Sequence, residues 1–291
     1  MRSVANTMWD PVAFRAAEGD SRDELPVPAP GAASRARSNV PLLETRNLAK
    51  RYGGLEAVAG VDLVLSHPIT GLIGPNGAGK TTLLNIVSGV ERASAGEVRF
   101  RGRAIGALPP HRLAALGLVR TFQISRELNS LTVLENLLLA RPHQAGESLF
   151  GLFARPGRVR REEAAAIETA RAALQRVNLW RLADAPAGSL SGGQKKLLEL
   201  ARAVMLAPRL ILLDEPAAGV APAMEEILID TIRGLAADGV GFLIIEHDLE
   251  IIAALCDHVC VMAAGQILTE GSFAEVTADA RVVEAYLGLK P

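Results

Sequence analysis

Cysteine is nearly missing from this chain. With only Cys256 and Cys260 there is no material for a disulfide framework, and the pair fits a reducing compartment. Their spacing suggests a metal pair, but no other cysteine exists and the nearest histidines are His247 and His258, so two small buried hydrophobes are the plainer reading. Aromatics are also scarce, at 7 Phe, 2 Trp and 2 Tyr, which leaves the core to Leu, Ile, Val and Ala. Neither sign of charge dominates: Lys+Arg 31 against Asp+Glu 32 gives a net charge of −1. A bulk grip on nucleic-acid backbones needs a basic excess, so no nucleic-acid partner is expected. No apolar run approaches the ~18 residues of a membrane span, and Met1–Asp20 lacks the apolar block of a signal peptide. The expectation is a cytoplasmic protein that can still sit against a membrane protein.

What is there is globular in composition. Hydrophobic residues at 49% and charged residues at 22% exclude wholesale disorder, a collagen-like fibre and a coiled-coil rod. A length of 291 residues suggests roughly two compact units at about 150 residues each. Residues 1–40 stand apart: arginines balance carboxylates, Pro26–Pro30 reads Pro-Val-Pro-Ala-Pro, and no helix or strand period persists. This predicts a flexible leader, with a start at Met8 as an equally plain origin.

From Leu42 onward short apolar runs alternate with Gly and Pro. Strands are predicted at Leu43–Leu48, Ala57–Leu65, Ile69–Ile73, Val98–Arg103, Leu210–Leu213 and Gly241–Ile245, with a hairpin from His258–Met262 and Gln266–Thr269. The stretch 113–207 reads as mainly helical, with Ile167, Ala170, Leu174 and Val177 on one face and a loop at Pro142–Arg160. Pro222 opens a helix with Met224, Ile227, Ile232 and Leu235 on its apolar face, stopped by Asp238-Gly239, and Arg281–Leu287 closes the chain as a helix. The order argues for an α/β core with a helical subdomain.

Three segments carry chemistry. Gly74-Pro75-Asn76-Gly77-Ala78-Gly79-Lys80-Thr81 satisfies the P-loop pattern between a strand and a helix. Glycines let successive N–H groups converge on phosphate oxygens and the helix dipole adds to them. Lys80 brings a cation to the β/γ-phosphates, and the Thr81 hydroxyl can ligate Mg²⁺. Leu210–Leu213 buries a strand that delivers Asp214 and Glu215 at its C-terminal end, where α/β sheets bind ligands. Asp214 suits the Mg²⁺ side, and Glu215, expected to point the other way along the strand, is free to polarise water. Leu190-Ser191-Gly192-Gly193-Gln194 precedes a helix and makes another phosphate cradle. One chain does not need two cradles for one nucleotide, so this one is read as serving a second copy.

Taken in order, Gly74–Thr81, Phe122-Gln123, Leu190–Gln194, Leu210–Glu215 and His247 resemble the motif series of ABC-transporter ATPase subunits. The resemblance covers residues 41–271, with 272–291 as a closing helix and tail. It implies a P-loop NTPase ABC-cassette fold: a mixed-sheet, RecA-like α/β core with an antiparallel β subdomain and a helical subdomain over about 113–207. It implies ATP and Mg²⁺ as ligands, with Gly74–Thr81 and Thr82 on the phosphates and Tyr52 on the adenine. By the same resemblance Thr81, Gln123 and Asp214 hold Mg²⁺, Glu215 is the base, His247 contacts the γ-phosphate, and Ser191, Gly192, Gly193 and Gln194 serve the nucleotide of the opposing chain.

A finer resemblance is to the larger ATPase subunit of high-affinity branched-chain amino acid importers. It rests on Tyr52–Leu55, Gly71–Ile73, Arg120–Gln123, Leu131–Val133, Asp214–Gly219 and Ala285–Gly288. It implies a second ABC ATPase subunit, two transmembrane permeases and, indirectly, a periplasmic solute-binding protein, at the cytoplasmic face of a bacterial inner membrane. The alternatives are the same ATPase for another cargo (lipopolysaccharide export, urea or amide import) or an ABC ATPase acting on DNA or ribosomes. Against the last, 134 residues separate Lys80 from Asp214, leaving no room for a long coiled coil, and only one cassette is present. Two departures from the family pattern are Ala221, where Asp or Asn is usual, and Ser66-His67-Pro68-Ile69-Thr70 in place of a Gly-Glu lead-in.

Overall fold

The computed structural model of the chain describes residues 40–121, 128–141 and 156–287. The leader and most of the loop expected at 142–160 therefore lie outside the described residues.

Two sheets organise the fold. Strands β1 (Leu43–Tyr52), β2 (Leu55–Leu65), β4 (Ala95–Phe100) and β5 (Arg103–Ala104) form an antiparallel sheet in the order β2-β1-β4-β5. Tyr52 faces Leu55 across a tight turn in which Gly53 takes φ 58°, a left-handed value that glycine adopts without a Cβ penalty. The second sheet runs β10-β9-β3-β8-β7-β6, with β3 (Ile69–Ile73), β6 (Leu118–Arg120), β7 (Leu210–Asp214), β8 (Gly241–Ile245) and β9 (His258–Ala263) mutually parallel. Only β10 (Gln266–Gly271) is antiparallel, as the sequence hairpin requires. β3, β7 and β8 are buried at every position, which is why they read as unbroken apolar runs.

Alternation along these strands feeds two cores. Leu210, Leu212, Leu243 and Ile245 pack with Leu63, Val98 and Leu83 on the face covered by the antiparallel sheet and helix α1 (Lys80–Val87). Ile211, Leu213, Phe242 and Ile244 pack on the other face against helices α4 (Pro156–Arg176), α5 (Gly192–Val204) and α6 (Pro222–Ala237). Short helices α2 (Pro110–Ala115), α3 (Val133–Leu138), α7 (Leu249–Leu255), α8 (Phe273–Ala278) and α9 (Ala280–Leu287) complete the chain.

The structure corrects four local expectations. Leu118–Arg120, inside the stretch expected to be helical, is an edge strand paired to β7, because Gly117 at φ 91° ends the preceding turn and two apolar residues continue the sheet. Pro156–Arg160, expected within the loop, is helical as the start of α4, where Pro is accommodated. Ile167 is exposed, and Ala166, Ala170, Ala173 and Leu174 form the buried stripe of α4 instead, with Val177 buried just past its end. Met224 and Ile227 are only partly buried, and Leu228 and Thr231 join Ile232 and Leu235 on the inner face of α6.

Ala221 is the N-cap of α6 and supplies no side-chain cap, although Pro222 opens the helix correctly. Restoring an acceptor with Ala221→Asp should stabilise the protein by about 0.5–2 kcal/mol, read as a higher urea midpoint. An unchanged midpoint would show that the end of α6 is already satisfied.

Candidate functional site

The phosphate loop is the link between β3 and α1. Gly74 takes φ 149° and Gly79 φ 100°. A Cβ at Gly74 would stand 2.0 Å from the Met262 carbonyl oxygen, and one at Gly79 would stand 2.2 Å from the Ala57 carbonyl oxygen. Neither position has room for a side chain. The first helical bond into α1 runs from Leu83 N–H to the Gly79 carbonyl at 2.9 Å, and no side chain caps the helix. The amides of Lys80, Thr81 and Thr82 thus precede the intrahelical ladder and open toward the loop. An uncapped helix start behind a tight glycine loop, with Asn76, Gly77 and Thr81 exposed, suits a polyphosphate and a metal held beside it.

Lys80 is 6% exposed and folds back, donating to the carbonyls of Gly74 at 2.6 Å and Pro75 at 3.0 Å. Burial lowers its pKa, and the nearby carboxylates of Glu215 and Asp214 act in the opposite direction. These two acids belong to the same charge cluster as the lysine, so the structure does bring the P-loop and the end of β7 together.

Asp214 is 2% exposed and accepts from the Arg120 guanidinium at 3.0 Å. Arg120 also reaches back to Asn85 Oδ1 at 2.6 Å and Ser88 Oγ at 3.2 Å on α1. One side chain therefore ties β6, β7 and α1 together. Sequence reasoning gave Arg120 no structural role; it entered only within the Arg120–Gln123 resemblance, as a cation after the apolar pair Leu118-Val119.

Glu215 departs from the simple strand expectation. β7 ends at Asp214, and Glu215 sits at φ 51°, a left-handed backbone that costs a non-glycine residue about 1–3 kcal/mol. The turn, not strand alternation, aims its side chain away from Asp214. Its amide donates to the Ile245 carbonyl at 2.8 Å, and its carboxylate meets His247 Nε2 at 2.8 Å. Lys196 on α5 reaches the Glu215 carbonyl at 3.3 Å. Beneath them the buried Glu246 accepts from the amides of Ala217 at 2.7 Å and His247 at 3.2 Å, fixing both turns. Burial raises the Glu246 pKa, against the pull of those two amides.

Tyr52 lies at the end of β1, 44% exposed, with its hydroxyl donating to Glu91 and the Lys50 ammonium 5.0 Å from its ring centroid. Its phenol pKa is raised mainly by the bond to Glu91, with Thr82 acting the other way, which puts it beside α1. Ser191 caps α5: its hydroxyl accepts from Gln194 N–H, and Gln194 Oε1 accepts from the Ser191 amide at 2.9 Å. Gly193 packs against Met224 and Val220, while Gly192 is open. Among the described residues, no hydrogen bond or ion pair joins Ser191–Gln194 to Gly74–Thr82. Gln123 lies outside the described residues. At the far end of the chain, Tyr286 of α9 has its pKa raised by burial and opposed by the Gly74 amide, so α9 reaches the base of the phosphate loop.

With this geometry in hand, the chain matches the ABC transporter family over residues 63–218 and the branched-chain amino acid ATP-binding cassette transporter family over residues 266–288. It is 45% identical over 248 residues to a probable branched-chain amino acid transport ATP-binding protein LivG of Archaeoglobus fulgidus, covering 85% of this chain and 95% of that protein. It is 41% identical over 251 residues to the high-affinity branched-chain amino acid transport ATP-binding protein BraF of Pseudomonas aeruginosa, covering 85% and 98%. Two solved structures, a nucleotide-free ATP-binding cassette from an ABC transporter and the ADP conformation of such a cassette, align with TM-scores of 0.73 and 0.73 at 40% identity. They cover 84% and 85% of this chain and 98% and 99% of theirs.

Removing Arg120 would leave the Asp214 carboxylate buried without its cation. Arg120→Ala should lower stability by about 3 kcal/mol in urea unfolding. Arg120→Lys should recover only part of it, because an ammonium lacks the fork that spans Asn85, Ser88 and Asp214. A neutral Arg120→Ala would show that the pair carries no structural role.

Proposed function

The chain belongs to the ABC transporter ATP-binding family, and from that premise we propose that it hydrolyses ATP to drive import of branched-chain or other hydrophobic amino acids. The observation that carries the catalytic part is the Glu215–His247 contact of 2.8 Å at the end of β7, beside the Lys80 cradle. The names of the LivG and BraF relatives, and the matching C-terminal segment around Tyr286, support the cargo class.

In this proposal Tyr52 stacks on the adenine, and the amides of Gly74, Pro75-Asn76-Gly77-Ala78 and Gly79 with Thr82 surround the phosphates. Lys80 leaves the Gly74 and Pro75 carbonyls to meet the β/γ-phosphates. Thr81, Gln123 and Asp214 are the residues that hold Mg²⁺, which supplies neutralisation of charge on the departing phosphate. Glu215 orients a water for in-line attack and accepts its proton, and His247 holds the γ-phosphate and the Glu215 carboxylate in register. Gln123 reports the state of the site to the membrane domain.

Ser191–Gln194 shares no bond with its own chain's loop, which supports a site completed by a second ABC ATPase subunit. Two such cassettes at the cytoplasmic face of a bacterial inner membrane, two transmembrane permeases and, indirectly, a periplasmic solute-binding protein form the proposed assembly. The cassette is proposed to span residues 41–271, with its helical part at about 113–207.

Glu215→Gln should reduce ATP turnover by about 10²–10⁴-fold while nucleotide binding persists. Turnover at the wild-type rate would remove Glu215 from the chemistry. Uptake of radiolabelled leucine into cells, lost in Lys80→Ala and recovered with the wild-type chain, tests the cargo. Leucine uptake that is indifferent to Lys80 would overturn that part.

A further inference from the structure

A cluster of metal-ligating side chains lies away from the nucleotide machinery, on the hairpin of β9 and β10. His258 and Cys260 are two apart on β9 and so share one face, and Glu270 is the register partner of Cys260 across the antiparallel pair. Cys260 Sγ lies 3.6 Å from Glu270 Oε2, and His258 Nε2 lies 3.7 Å from the same oxygen. One ligand atom from each of the three residues falls within 4.8 Å of the others. A tetrahedral zinc ion with bonds of about 2.0–2.3 Å separates its ligand atoms by roughly 3.3–3.6 Å. The cluster is within a small contraction of that geometry.

The surroundings are those of a supported site. Cys260 is 0% exposed, the His258 side chain is 18% exposed and that of Glu270 is 53% exposed, giving a dry floor and one mobile arm at the mouth. The His67 ring stacks on the His258 ring at 4.6 Å and 11°, which fixes the plane of the imidazole. His67 sits in the Ser66-His67-Pro68 segment, which departs from the family lead-in and had no account from sequence. Thr70, the register neighbour of His258 on β3, has a buried hydroxyl with no hydrogen-bond partner. An unsatisfied buried hydroxyl on the strand position beside His258 is open to a further polar partner.

We propose that His258, Cys260 and Glu270 bind a single zinc-class divalent ion (Zn²⁺, or Co²⁺ as a probe), with His67 and Thr70 supporting the imidazole side. The nitrogen, sulfur and oxygen donor set selects a borderline ion over Mg²⁺, so the site is chemically distinct from the nucleotide's metal. Binding forms the metal–sulfur bond as the Cys260 thiol proton leaves to solvent. Three protein ligands leave one position for water, which can serve the orphaned Thr70 hydroxyl. The ion would staple β9 to β10 just below Met262, whose carbonyl walls the phosphate loop at Gly74.

The test uses the full chain, stripped with a chelator and studied without nucleotide or Mg²⁺, so that it is independent of ATP chemistry. Zn²⁺ is titrated against a chromophoric chelator, and Co²⁺ is followed through its thiolate charge-transfer absorption. One equivalent of either ion should bind to the wild type and to Cys256→Ser, whose thiol packs instead against Ile252 and Gly71. Affinity should fall at least about tenfold in His258→Asn and Glu270→Gln, and the charge-transfer band should vanish in Cys260→Ser. If Cys260→Ser fails to fold, Glu270→Gln decides the matter, because its side chain is at the surface. Absence of binding by the wild type, equal affinity in Glu270→Gln and His258→Asn, or loss of the band in Cys256→Ser alone would each overturn the proposal.

Discussion

Two backbone approaches set the position of everything in the site. The Met262 carbonyl closes on Gly74 and the Ala57 carbonyl closes on Gly79, both nearer than any Cβ tolerates. The first comes from β9 of the parallel sheet and the second from β2 of the antiparallel sheet. The phosphate loop is therefore held between the two sheets, and the cores on either side of β7 and β8 transmit that position to Asp214 and Glu215 at the strand ends. Glycine at these two places is a packing requirement before it is a binding requirement.

Around that loop each charged side chain is held by a partner. Lys80 is absorbed by two loop carbonyls, Asp214 by Arg120, and Glu215 by His247. Each is a costly group to bury, and each has found a partner inside the chain. Under the proposed function, a bound triphosphate would have to offer Lys80 a better partner than two carbonyl oxygens, and the Asp214 carboxylate would keep its Arg120 partner while it faced the proposed metal. Charge-assisted contacts to phosphate are stronger than neutral ones, which gives the exchange its direction.

Much of this was legible in the sequence for physical reasons. Buried parallel strands announce themselves as short apolar runs, so β3, β7 and β8 were placed to within a residue. Gly74–Thr81 carried both its backbone demand and its chemistry in a few letters. What escaped were features decided by tertiary contacts: the three-residue strand β6, whose length gives no period; Arg120, whose partners lie 35 and 94 residues away; and the left-handed turn at Glu215. The cysteine spacing suggested a metal pair but offered no further ligands; what the sequence did not show is that Glu270 on β10 and His67 just before β3 come to His258 and Cys260 on β9. Two cysteines taken with their nearest histidines looked like plain core residues, and both pack in the core, Cys260 fully buried and Cys256 partly so.

We propose that one chain is chemically incomplete, because its Ser191–Gln194 segment shares no hydrogen bond with its own phosphate loop. Turnover per chain, measured at saturating ATP and Mg²⁺ across a wide range of protein concentration, tests this directly. Turnover per chain is expected to fall on dilution and to rise to a plateau as chains associate. A turnover per chain that stays constant down to concentrations where sedimentation shows only monomer would contradict it.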